Sequence, residues 1–312
     1  CAEMLRLFLS RSNTHNINNT RRSLVSSILS TSCSSYHSQQ TVAHLRKNDE
    51  AREIFLVGTS HVSKASARET EELIRLVKPD VVAVELCEER FEQLKKQMKE
   101  DKEEKTKKTK KKRSFLGDFL AIVKNVSSNR DLNALDRCLA IGLKAFYASL
   151  KSSGMEPGEE FRVAIREAER LNARLVLADR DVNKTLKALR ESVSVADVYR
   201  WFVYGEKKGG PTLPPEFEKM AAAGFNSTEM QDYMEAMKNR NACAQMMKYM
   251  QFQFPNIVSA MVHQRDDEMA DAIKREKDAE KIVMVVGLAH VDGIVERLAG
   301  EYTEVMSVND SE

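Results

Sequence analysis

The 312-residue chain has five cysteines, Cys1, Cys33, Cys87, Cys138 and Cys243, an odd and scattered set without a CxxC pair. That spacing argues against a disulfide framework and a cysteine-rich zinc site, and makes a reducing compartment the default. No stretch approaches the ~18 uninterrupted apolar residues that a spanning helix needs. Acids are missing altogether from residues 4–48. A basic docking face is missing too. Residues 1–48 hold six basic residues and one acid, Glu3, while residues 95–113 hold ten lysines, Arg113 and four acids. The whole chain is only +2, so everything else carries about ten net negative charges. A nucleic-acid reader carries its basic residues on the folded face that docks, so no nucleic-acid partner is expected.

What is present is ordinary for a globular protein: 42 % hydrophobic and 31 % charged residues, ample for a sizeable core. The length allows one large or two modest domains. The acid-free N-terminal stretch contains Arg6, Arg11, Arg21, Arg22 and Arg46 among many serines, the composition of an organellar transit peptide. Residues 1–50 are therefore expected to be transit peptide or disordered, outside the fold, addressed to mitochondria or alternatively to chloroplasts. The lysine-rich run at 95–113 reads either as a solvated, disordered insertion or as a long exposed charged helix. It offers a contact for acidic partners or an anionic membrane surface.

From residue 51 the pattern is α/β. Ile54 to Val57 is a short apolar run, followed by a helical period from Ala65 to Val77 with Leu73, Ile74 and Val77 on one face. Lys78-Pro79-Asp80 breaks it, and VVAVEL (81–86) reads as a buried parallel strand. Residues 115–150 are amphipathic. A helix from Glu159 to Leu171 leads into a third strand at Leu175 to Ala178, and residues 182–260 form a large, methionine-lined helical insertion. A helix from Arg265 to Lys277 precedes a fourth strand, IVMVVG (282–287). A last helix, Gly293 to Ala299, and an edge strand, Tyr302 to Val308, close the chain. The expected fold is a central, mostly parallel sheet with flanking helices and a helical insertion between the third and fourth strands.

Two strands end alike. IFLV stops at Gly58-Thr59-Ser60-His61 and IVMVV at Gly287-Leu288-Ala289-His290, each followed by valine. A glycine there lets the chain turn sharply or lets a ligand approach the backbone. The second strand delivers Glu85 to the corresponding edge, with Arg90 beyond it; the third delivers Asp179 and Arg180. In open parallel sheets, ligands bind beyond the carboxyl ends of the strands. Two histidines and a carboxylate, His61, His290 and Glu85, make a site for a divalent metal with open positions. Arg180 and Arg265 are placed to stabilise an oxyanion. Asp266 and Glu268, at the start of a helix, suit either the site or a first-turn macrodipole role. Cys87, two residues past Glu85, lacks any sequence signature of a thiol nucleophile.

Together VGTSHVS (57–63), VVAVELCEERF (81–91), ADRD (178–181), QRDDEMA (264–270) and VVGLAHVDGI (285–294) resemble the TraB/PrgY/GumN family, over essentially the whole folded part. The resemblance implies an α/β fold shared with secreted Wnt-inactivating metalloproteases and, more distantly, with haem-binding and erythromycin-esterase-like proteins. In the metalloprotease branch the paired GxxH motifs and a glutamate form the metal-dependent centre. Carried over here these are His61, His290 and Glu85, with Arg90, Arg180 and Arg265 supporting. Neither a secretory signal nor a C-terminal membrane segment of the kind other members carry is expected from these residues, and the lysine run sets the chain apart from that branch. Many eukaryotic relatives are assigned to mitochondria. Two functions follow as expectations: a metal-dependent hydrolase acting on a peptide or protein substrate, and a non-catalytic organellar binding or scaffold protein that retains the fold. Residues 1–45 fused to a fluorescent reporter should send it to mitochondria; a reporter left diffuse in the cytosol would contradict the targeting assignment.

Overall fold

The computed structural model describes residues 41–48, 50–60, 64–104, 158–192, 207–213, 215 and 238–305, all within one unit, Thr41–Val305. His61, residues 193–206, 214 and 216–237 of the insertion at 182–260, and the amphipathic stretch at 115–150 lie outside the described residues.

Six strands form one sheet in the order β4-β3-β5-β2-β1-β6. The strands are β1 (Val42–Lys47), β2 (Glu53–Thr59), β3 (Val81–Val84), β4 (Arg174–Leu177), β5 (Lys281–Gly287) and β6 (Tyr302–Glu304). β4, β3, β5 and β2 run parallel; β1 pairs antiparallel with β2 and with β6. The helices are α1 (Lys64–Val77), α2 (Glu88–Glu104), α3 (Glu159–Leu171), α4 (Val182–Ser192), α5 (Arg240–Gln253), α6 (Pro255–Val258), α7 (Gln264–Arg275) and α8 (Leu288–Leu298). A five-residue π-turn, Ser259–His263, joins α6 to α7.

The continuous apolar runs of β2, β3 and β5 follow from burial on both faces. Ile54, Leu56, Ile282, Met284 and Val286 pack with Met269 and Ile273 of α7 and Val291, Ile294 and Leu298 of α8. The alternate residues Phe55, Val82, Val84, Val283 and Val285 are equally buried. α1 and α3 are pinned by Glu167, whose two oxygens accept from Arg75 at 2.8 and 3.0 Å and from Arg170. The Arg75 guanidinium holds the Glu167 carboxyl below its usual range despite burial.

Two expectations need correction, and for the lysine-rich run the helical of its two readings holds in the described part. The fold begins before residue 51: Val42–Lys47 is a sheet strand, its buried Ala43 and Leu45 alternating with less buried neighbours. That short alternation is hidden inside an arginine-rich, acid-free stretch, and a leader ending at residue 45 would remove Val42 to Leu45, most of β1. α2 runs on to Glu104, so the first part of the lysine-rich stretch is helical; residues 105–113 lie outside the described residues. The last helix starts at Leu288 rather than Gly293, because the glycine sits inside the helix instead of punctuating it.

Candidate functional site

Parallel pairing brings the carboxyl ends of β2, β3, β4 and β5 to one edge, with β5 between β3 and β2. Glu85 follows β3 directly, and its amide donates to Val285 O at 3.1 Å. Asp179 lies two residues past β4, and its amide donates to Leu86 O. His290 lies in the first turn of α8, which starts as soon as β5 ends. Gly287 is extended (φ −61°, ψ 141°) and caps that helix, so the motif turns without a left-handed residue. The two GxxH motifs are offset by one position: Thr59, not Gly58, pairs with Gly287. Gly58 serves close packing of the chain itself. A Cβ there would meet Leu288 at 2.4 Å and the Thr41 carbonyl at 3.0 Å.

At this edge the side chains form one connected cluster. Arg265, on the first turn of α7, donates through Nε and Nη2 to the two oxygens of Asp179, both at 2.9 Å. Nη2 also donates to Glu85 Oε1, and Nη1 lies 3.1 Å from His290 Nε2. Glu85 Oε2 accepts from the Gly287 amide at 2.6 Å. His290 Nδ1 meets Asp266 Oδ1 at 2.6 Å, and its Nε2 lies 3.5 Å from Glu85 Oε1. Glu85, His290 and Asp266 are 4 %, 5 % and 0 % exposed, so these charges are paired because water cannot solvate them.

The electrostatics follow from this crowding. Burial pulls the His290 imidazole down, but the Glu85 and Asp266 carboxylates outweigh it and lift it to about 9. A protonated ring sends Nε2–H toward Glu85 and then sets it against Arg265 Nη1. The upward direction holds because two carboxylates flank the ring against one guanidinium that Asp179 already neutralises. Arg265 is likewise pushed up; burial opposes this, and Glu85 and Asp179 overcome it. Burial raises Asp266, whose Oδ2 has no hydrogen-bond partner and lies 3.6 Å from Arg297 Nη1.

The remaining expected residues take different places. Arg90 reaches Asp179 Oδ2 and the Glu85 carbonyl at 3.4 Å and is partly exposed at the rim. Arg180 donates instead to Thr185, Gln264 and the Ala260 carbonyl. Glu268 acts on Arg180 only through space. Cys87 is a buried free thiol. Sequence reasoning missed the π-turn and Arg297, and it named Gly287 for its sharp turn or an approaching ligand rather than for the amide that it offers Glu85.

Of the three expected metal ligands, Glu85 and His290 stand together. Their facing atoms are 3.5 Å apart, about the separation of two donors that each lie ~2 Å from one tetrahedral ion. Among the described residues no group of three His, Cys, Asp or Glu is arranged to hold a metal ion; His61 is not one of them. The donor chemistry fits a divalent ion, and the Arg265 guanidinium is the cation that these two atoms face here.

Residues 42–300, which include every strand and helix of the cluster, match the TraB/PrgY/gumN family. The chain belongs to this family. It is 28 % identical over 288 residues to the TraB domain-containing proteins of Mus musculus and Homo sapiens, covering 86 % of this chain and 69 % of each of those. It is also 28 % identical over 249 residues to an uncharacterised protein of Methanocaldococcus jannaschii, covering 79 % of this chain and 53 % of that one.

Within this TraB-family site, Gly293 has a defined role. A Cβ on it would stand 2.1 Å from Asp266 Oδ2 and 2.9 Å from Asp266 Cγ. Gly→Ala inside a helix ordinarily gains about 0.5–1 kcal/mol. Here the buried carboxylate must turn off His290, so Gly293→Ala should instead lose about 1–3 kcal/mol, measured by denaturant unfolding. A variant as stable as the wild type would contradict this placement of Asp266.

Proposed function

We propose that this TraB-family chain is a metal-dependent hydrolase of peptide or amide bonds that works in mitochondria. The observation that carries the reading is the convergence of Glu85 and His290 from adjacent strand ends, with a buried carboxylate fixed behind the imidazole. A carboxylate behind a ligating histidine sets its tautomer and raises its basicity. His61, Glu85 and His290 are the residues that would hold the ion. When bound, a divalent ion supplies Lewis-acid polarisation of a carbonyl and acidifies water. The chain's own groups do the rest. Asp266 holds the Nδ1 proton and turns Nε2 toward Glu85, and the Gly287 amide keeps one Glu85 oxygen in place. Asp179 keeps the Arg265 guanidinium beside the same point, where a fixed positive charge stabilises a developing oxyanion. The mitochondrial address rests on the acid-free, arginine- and serine-rich segment upstream of β1.

A non-catalytic organellar binding or scaffold role is the second reading. It is favoured by Arg265, which balances Glu85 without any added ion. Metal analysis of the purified full chain separates the two. The hydrolase reading expects one equivalent of a divalent ion in the wild type and near-complete loss in His61→Ala and Glu85→Gln with the circular dichroism unchanged. It also expects loss of peptide cleavage in both variants. A wild type that takes up no zinc, manganese or cobalt under dialysis would overturn it in favour of the binding protein.

A further inference from the structure

Arg180 is buried, 8 % exposed, and all three of its guanidinium nitrogens are committed. Nε donates to Thr185 Oγ1 at 2.8 Å, Nη1 to Gln264 Oε1 at 2.8 Å and Nη2 to the Ala260 carbonyl at 2.6 Å. Ala260 lies inside the π-turn and Gln264 is the first residue after it, so this one side chain grips both ends of the turn. The turn itself is closed by the Gln264 amide donating to the Ser259 carbonyl, five residues back. A π-turn holds one residue more than the α-helix around it and leaves carbonyls without helical partners. Three guanidinium groups donate to carbonyls of this turn: Arg180 to Ala260, Arg265 to Met261 at 3.3 Å and Arg297 to His263 at 2.9 Å.

The extra residue has a geometric consequence. Each residue of an α-helix advances the chain by about 100°. Relative to α6, everything after the turn is rotated by that one residue, and Arg265 and Asp266 come immediately after it. Relaxing the π-turn to an α-turn would swing Arg265 off Asp179 and Glu85, and Asp266 off His290. The dipeptide Asp179-Arg180 at the end of β4 thus holds Arg265 twice: Asp179 by its guanidinium, Arg180 by the backbone that carries it.

We infer that Arg180 is a positioning residue, which keeps the Ser259–His263 turn in its widened form and so aims Arg265 and Asp266 at Glu85 and His290. Arg180 touches neither Glu85 nor His290 and acts through the turn. The role concerns the same site as the proposed hydrolase activity, but it holds whether or not that site takes a metal. Lysine cannot replace it, because one ammonium has no fork to span a carbonyl, an amide and a hydroxyl together.

The test uses the ¹⁵N-labelled full chain without added metal or substrate, so failure of the hydrolase reading does not affect it. The buried Nε–H of Arg265, bonded to Asp179, gives a resonance that is assigned by its loss in Arg265→Lys. In Arg180→Lys this signal should shift and exchange with water about tenfold faster or more. Leu73→Ala on α1 serves as the comparison. It loosens the protein away from the core cluster of α7 and α8 and should lower the melting temperature while leaving the signal in place. If Arg180→Lys does not fold, Gln264→Ala removes one arm of the clamp and is read in the same way. An Arg265 signal unchanged in Arg180→Lys, or moved equally by Leu73→Ala, would overturn the inference.

Discussion

The structure depends on one buried guanidinium. Arg265 meets Asp179 with two nitrogens, Glu85 with one of them and His290 with its third, and these partners come from the ends of three different strands. A buried ion pair adds little net stability, but losing one partner leaves an uncompensated charge at a cost of about 3–5 kcal/mol. Such a pair therefore works as a constraint on geometry. β3, β4, the start of α7 and the first turn of α8 cannot drift independently without stranding a charge away from water.

The topology supplies the rest. β5 is late in the chain but central in the sheet, so His290 arrives beside Glu85, which comes about two hundred residues earlier. The same strand carries Gly287, whose amide fixes the second Glu85 oxygen. α8 then follows without a loop, and its packing over β2 requires a residue without a side chain at Gly58. The motif glycines thus serve helix packing and capping, and the chemistry lies in the residues they let in.

Much of this was legible because strand ends are short, apolar and followed by polar residues that have no reason to stand there otherwise. Glu85, Asp179 and His290 were found that way. β1 was not, because two buried side chains, Ala43 and Leu45, leave a weak alternation against the arginine-rich background. The pairing of Asp266 with His290 was not decided either. An acid in the first turn of a helix looks the same whether it faces solvent or a buried imidazole, and only the π-turn settles which way it faces. A one-residue widening of a helix leaves no periodic signal over five residues. Arg180 shows the same limit: a strand-end arginine next to an acid reads as chemistry, while its three partners in space show a clamp.

If the Arg265 pairings are the constraint around which the edge is built, Arg265 and Asp179 must be strongly coupled. A double-mutant cycle on unfolding free energies, with Arg265→Met, Asp179→Asn and the two combined, measures that coupling directly. The combined variant should be more stable than the sum of the single losses implies, by about 2 kcal/mol or more, since removing both charges leaves neither one stranded by the other. Additivity within about 0.5 kcal/mol would contradict it.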